Sequence, residues 1–135
     1  MLRLISYAIS LLLFCLSCSK KGQSERRIEG SWEVITYKQK NTEGITSYEA
    51  VEGFCRFNIN HSFEIQLNKG NDQYKDSGIY EVTLTDYEGL RFNKNLEILC
   101  ANEARIFMLT RTDLELEFYS NSGKIVGIIL RKESD

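Results

Sequence analysis

From Phe54 onward, apolar and polar residues alternate in short runs separated by polar breaks of hairpin length. Phe63, Ile65 and Leu67 alternate with Glu64, Gln66 and Asn68, and Tyr80, Val82 and Leu84 with Glu81, Thr83 and Thr85. Leu114, Leu116 and Phe118 do the same against Glu115, Glu117 and Tyr119. Side chains two apart share a face only in an extended chain, so each run reads as a strand with one face toward a core. No long amphipathic helix is evident beyond the N-terminal segment. The expected fold is all-β: an antiparallel meander of about eight strands closed into a small barrel, since closure removes the unpaired edges of an open sheet.

The other runs are less regular. A polar turn is expected over 38–44, then a weak strand over 45–51 and a further one over 54–59, with Cys55, Phe57 and Ile59 on one face. Asn60-His61 reads as a tight turn, 69–77 as a loop, and Gly78 as the opening of a strand to Thr85. A short strand follows at 90–93, while 94–104 fits a loop, an irregular strand or one helical turn. The runs 105–110 and 114–119 form a hairpin around Arg111-Thr112-Asp113. The last strand, 124–132, is apolar on both faces, with Ile125 and Ile129 on one and Val126, Ile128 and Leu130 on the other. That calls for a cover outside the barrel: the linker, the 94–104 segment or a second molecule. With no proline in the chain, turns fall to residues such as Gly70 and Gly123 with their neighbouring Asn68 and Asn121.

The N-terminus has a different character. Met1-Leu2-Arg3 supplies a positive start, and Leu4 to Leu16 is an apolar run of signal-peptide length. It ends at Ser17-Cys18, followed by polar Ser19-Lys20-Lys21-Gly22. This junction resembles a bacterial lipoprotein signal, although Cys15 stands where that pattern usually has leucine. Cys15 is itself the poorer acceptor because bulky Phe14 precedes it. The resemblance implies removal of residues 1–17, acylation of Cys18, and an extracytoplasmic protein anchored in a bacterial envelope. Without an acidic run after Cys18, the expected site is the outer membrane, facing the periplasm. An ordinary secretory signal is the alternative and gives the same side of the inner membrane. Residues 18–27, rich in Lys and Arg, read as a flexible tether.

Gly30 precedes the single tryptophan, Trp32, by two residues. A glycine there permits a sharp turn into a strand that places Trp32, Val34 and Thr36 on one face and Glu33, Ile35 and Tyr37 on the other. This Gly-x-Trp opening before an all-strand chain resembles the first motif of the lipocalins (calycin-type barrels) and of short lipocalin-like domains of bacterial lipoproteins. The resemblance covers the domain at 28–135 in pared-down form, because the long helix of larger lipocalins is missing. It implies a barrel end plugged by Trp32, with Arg131 of the last strand stacked on the indole.

The chemistry of the remaining residues narrows the function. The 17 basic and 19 acidic residues leave no basic footprint for nucleic acid. One histidine, His61, and no close Cys or His pair argue against a metal site, and nothing points to a cofactor. Glu64, Glu81, Glu115 and Glu117 occupy outward positions, and no nucleophile elbow or phosphate loop is present, so no enzyme is expected. With Cys15 removed and Cys18 acylated, Cys55 and Cys100 are expected to form a disulfide, which the chain-entropy model values at about 4 kcal/mol; two buried free thiols are the alternative. Two binding functions stay open. The barrel is a carrier whose interior, lined by Phe57, Phe63, Ile65, Tyr80, Val82, Phe92, Met108, Leu116 and Phe118, takes a small apolar or amphiphilic ligand. Alternatively those side chains fill it, and the outside engages an envelope protein as an interaction or inhibitor module.

Overall fold

The computed structural model describes residues 20–120 and 122–134; the signal segment and Cys18 lie outside the described residues. A short helix, α1, spans 20–28. It is followed by β1 (Gly30–Lys40), β2 (Thr46–Ala50), β3 (Glu52–Phe57), β4 (Ser62–Lys69), β5 (Asp72–Leu84), β6 (Glu88–Leu96), β7 (Ala101–Leu109), β8 (Asp113–Tyr119) and β9 (Ile125–Lys132). All pairings are antiparallel between chain neighbours, except that β1 also pairs with β3 and β9. The β1–β9 pairing closes β1 and β3 to β9 into an eight-stranded barrel with β2 as an appendage.

β1 is the seam. One edge pairs with β9 from Trp32↔Lys132 to Lys40↔Ile125. The other meets β3 from Gly30 to Glu33 and β2 from Thr36 to Lys40. Between the last β3 pair, Glu33↔Phe54, and the first β2 pair, Thr36↔Ala50, residues 51–53 face only 34–35, a bulge that splits what would be one strand. The register with β9 also slips between Val34 and Thr36. A one-residue slip reverses the faces. Trp32 and Val34 therefore point inward as expected, but the next inward residue is Tyr37 and not Thr36.

Residues 69–77 are not a loop. β4 runs to Lys69 and β5 begins at Asp72, joined through Gly70 at φ 61°. The inward face of β5 carries Asp76 and Gly78 ahead of Tyr80, which erases the apolar alternation in this half of the strand. The undecided segment 94–104 divides between the end of β6, a turn at 97–100 and the start of β7. Leu84, expected to face inward, is the exposed last residue of β5, and Ile59 lies exposed in the turn after β3 instead of sharing the core face with Phe57.

On β9 the inward face is buried throughout, while Ile125 and Ile129 are half-buried outside. Between them lies Gly127, paired with Lys38 of β1 on one side and Glu117 of β8 on the other. A Cβ at Gly127 would lie 2.9 Å from Lys38 Cε, so the absent side chain is the space through which the Lys38 stem crosses β9. Its ammonium reaches the carboxylates of Glu115 and Glu117, the latter at 2.7 Å.

Candidate functional site

Eight of the nine residues expected to line the interior do so. Phe57, Phe63, Ile65, Tyr80, Val82, Phe92, Leu116 and Phe118 are buried in one continuous apolar core. Met108 is the exception and is 38% exposed. The β7–β8 register slips between Ile106 and Met108, so Ile106 points inward and Phe107 and Met108 both stay outside. Across the barrel, Phe57 meets Tyr80 edge-on at 4.9 Å, Phe63 meets Phe92 edge-on at 4.8 Å, and Phe92 stacks on Phe118 at 6.1 Å. These are favourable ring geometries. The Tyr80 hydroxyl donates to the Asn58 carbonyl at 3.3 Å, and His61, at φ 66°, stacks on its ring. Burial first, then the carboxylates of Glu29 and Glu25 and the Cys55 thiol, push Tyr80 up to about 12.

One end of the barrel, where β1 starts and β9 finishes, is closed by α1. Ile28 and Trp32 are fully buried there, and the indole Nε1 donates to the Ile28 carbonyl at 2.7 Å. Residues 20–27, within the stretch expected to be a flexible tether, are thus helical and docked. Ser24, also buried, has its hydroxyl within reach of two acceptors that share its one proton, the Glu88 carboxylate and the Lys20 carbonyl at 3.2 Å. The cation over Trp32 is Lys132, not Arg131. Lys132 is the register partner of Trp32, and its Nζ lies 4.6 Å from the ring centroid while donating to the carbonyls of Glu29 and of Arg27, the latter at 3.3 Å. One ammonium thereby covers the indole and satisfies backbone carbonyls at the C-terminal end of the helix. Arg131 faces outward, with its Nε 3.9 Å from Asp113 Oδ1. Gly30, at φ 119°, admits the Lys132 side chain, which a Cβ there would meet at 3.0 Å.

The opposite end is closed by the turn between β6 and β7. Leu96 and Leu99 are buried there, the Leu96 carbonyl accepts from the N–H groups of Leu99 and Cys100, and Cys100 takes φ 49°. Asp76 is the anchor. Buried on β5, it accepts from the Glu97 N–H at 2.9 Å and pairs with Lys94 at 3.0 Å. The β5–β6 ladder runs only from Tyr80↔Phe92 to Leu84↔Glu88. Beyond it, side chains hold the two strands together, with Asn93 Oδ1 taking the Ile79 N–H at 3.0 Å.

The expected disulfide is not formed: Cys55 and Cys100 are free thiols. Cys55 is buried opposite Trp32 in the helix-closed half, whereas Cys100 is exposed in the turn at the other end. Burial pushes the Cys55 thiol up, which keeps it neutral and unreactive.

The outward carboxylates are not all solvated. Glu115 and Glu117 retain only 13% and 12% of their side-chain exposure beneath Lys38, which also lies 5.3 Å from the Phe107 ring. Burial lowers the affinity of Lys38 for its proton, but its bonds to the two carboxylates outweigh this and leave its pKa raised. Glu81, Arg91 and Glu103 form an exposed ladder across three strands. Among the described residues no three metal-ligating side chains come together. The outer surface has a depression of about 160 Å³ between β5 and β6 beside Ile79 and Arg91, and another of about 230 Å³ between α1 and β7.

No family model matches the chain, and no curated protein does either. Among solved structures, one described as a redesigned beta barrel aligns over 82% of this chain and 95% of its own, at 13% identity and a TM-score of 0.49.

The sequence reading missed α1, Asp76 and Lys132. Lys132 shares the parity of Val126, Ile128 and Leu130, the inward set, so counting by two along β9 would have selected it over Arg131. α1 offers one weak signal, Ser24 and Ile28 at i and i+4, because described turns that bury one apolar side chain have almost no periodicity to read.

Proposed function

We propose that this is a lipid-anchored, extracytoplasmic envelope protein of lipocalin-like build, whose barrel is filled by its own side chains and which works through its outer surface. It engages another envelope protein, as partner or inhibitor, and does not carry a small molecule. The observation that supports this over the carrier reading is the chain of rings through the interior: Phe57 on Tyr80, and Phe63 on Phe92 on Phe118. A ligand would have to displace contacts that interiors packed to crystal density give up only at a cost. The anchor reading rests on the apolar run ending at Ser17-Cys18.

Native mass spectrometry of the full-length protein released from its own membrane tests the choice. The expected spectrum is that of the acylated chain alone, and titration with a fluorescent fatty acid gives no saturable signal. A stoichiometric co-purifying apolar molecule returns the barrel to the carrier reading. For the anchor, Cys18→Ala is expected to abolish incorporation of labelled fatty acid; continued labelling would exclude Cys18 as the acceptor.

A further inference from the structure

A lipid on Cys18 would lie two residues before Lys20, the first described residue of α1, and two residues of extended chain reach about 7 Å. The ten residues of a flexible tether would have reached about 30 Å. Because α1 is not free, this difference decides where the barrel sits. Ile28 is buried in the barrel mouth, Ser24 is bonded to Glu88, and Lys132 holds carbonyls at the far end of the helix. The polar layer of a bilayer leaflet is itself about 5–8 Å deep. A docked helix whose Lys20 lies this close to the anchor brings the barrel end it closes into contact with headgroups.

That end presents suitable chemistry. α1 carries Lys20, Lys21, Arg26 and Arg27, all exposed, against the single carboxylate of Glu25. The depression between α1 and β7 is lined by Lys20, Gln23, Ser24 and Arg27 on one side and by Ile106 to Leu109 with Glu88 on the other. The Glu88 carboxylate is already engaged by Ser24. On the β7 side, Phe107 is 58% and Met108 38% exposed, an adjacent apolar pair displayed because the bulge turns both outward. Cations beside an aromatic and a flexible apolar side chain suit the boundary between phosphate and acyl chain.

We propose that the helix-closed end is a membrane-seating surface: Lys20 and Arg27 bind the phosphate of an anionic phospholipid, Phe107 and Met108 enter the upper acyl region, and the turn-closed end points away from the bilayer. This rests on the reading of Cys18 as the lipidated residue.

The test uses the intact protein from its own membrane, with the acyl chains on Cys18 established by mass and a native tryptophan emission maximum confirming the fold. An environment-sensitive fluorophore is placed on Met108→Cys in a Cys100→Ser background, or on native Cys100, and the protein is reconstituted into vesicles of phosphatidylcholine with one quarter phosphatidylglycerol. Acyl chains brominated near the headgroup should quench the label at 108 at least threefold more than the label at 100. Lys20→Gln with Arg27→Gln should at least halve the quenching at 108. Equal quenching at the two positions, or none at 108, in a protein whose Cys18 is acylated overturns the seating and leaves the anchor intact. An unacylated Cys18 overturns both.

Discussion

The two ends of this barrel solve one problem by different means. Each must cover an apolar mouth and satisfy the backbone groups of whatever does the covering. At the helix-closed end the cover comes from outside the sheet: α1 delivers Ile28, while Trp32 and Lys132, from the first and last barrel strands, take up its carbonyls. At the turn-closed end the wall folds over itself, and Leu99 is held by a turn whose Glu97 N–H is fixed by Asp76. The first cover depends on a large ring and a cation that act together; the second depends on one buried carboxylate. Closure by an added segment can be loosened without breaking a strand pair, whereas closure by the wall cannot.

The largest test of this difference is Trp32→Ala, which removes the plug and leaves the Ile28 carbonyl without its indole donor. A loss of about 3–5 kcal/mol is expected from the urea midpoint; a loss below about 1 kcal/mol would mean that α1 closes the mouth without the ring. Asp76→Ala strikes the other end, where the Glu97 N–H and Lys94 lose their acceptor, and about 1–3 kcal/mol is expected. If its amide exchange rises equally at both ends, the two closures are one cooperative unit and the contrast fails. A smaller effect separates neighbouring residues: Lys132→Met is expected to cost about 1 kcal/mol and red-shift the tryptophan emission, while Arg131→Ala stays within about 0.5 kcal/mol. The reverse order would restore the pairing expected from sequence.

The smallest effect at neutral pH appears in alkali. Tyr80 is held above its ordinary value of 10.0, so its contribution to stability is complete below pH 10 and is lost as pH rises toward about 12. Lys38, also raised, acts in the same sense: its contribution is complete below its ordinary value of 10.5 and disappears above it. The urea midpoint should therefore fall between pH 10 and 12, and Tyr80→Phe should remove part of that slope together with the last step of the phenolate absorbance titration. An unchanged slope would show that the helix-closed end is not where alkali acts.

The barrel was legible in the sequence because alternation by two is a direct record of which face is buried. The runs at 63–67 and 114–118 carry it without interruption, and both face the core. It became illegible wherever a bulge changed parity. The slip at Ile35 exchanged Thr36 for Tyr37, and the slip near Phe107 put Met108 outside, because an extra residue leaves no mark in composition. Asp76 was hidden for another reason. An inward carboxylate satisfied by a distant N–H looks, in sequence, like a polar residue of a loop. Cys55 and Cys100 show the limit of pairing by elimination: they were the two thiols left over, but they lie in opposite halves of the barrel. The site was less legible than the fold because both mouths are built from single residues distant in sequence.

β1 pairs with β9, so the first barrel strand waits for the last. Residues 30–40 and 125–132 bracket the whole barrel, and contacts of such separation repay the entropy of loop closure only when everything between is in place. During synthesis, one edge of β1 stays unpaired until the final eight strand residues have emerged. The barrel can then close only as a late step, after the whole chain is available. A chain that cannot close early remains threadable, and stopping synthesis before Ile125 would leave an open sheet with two bare edges instead of a smaller barrel.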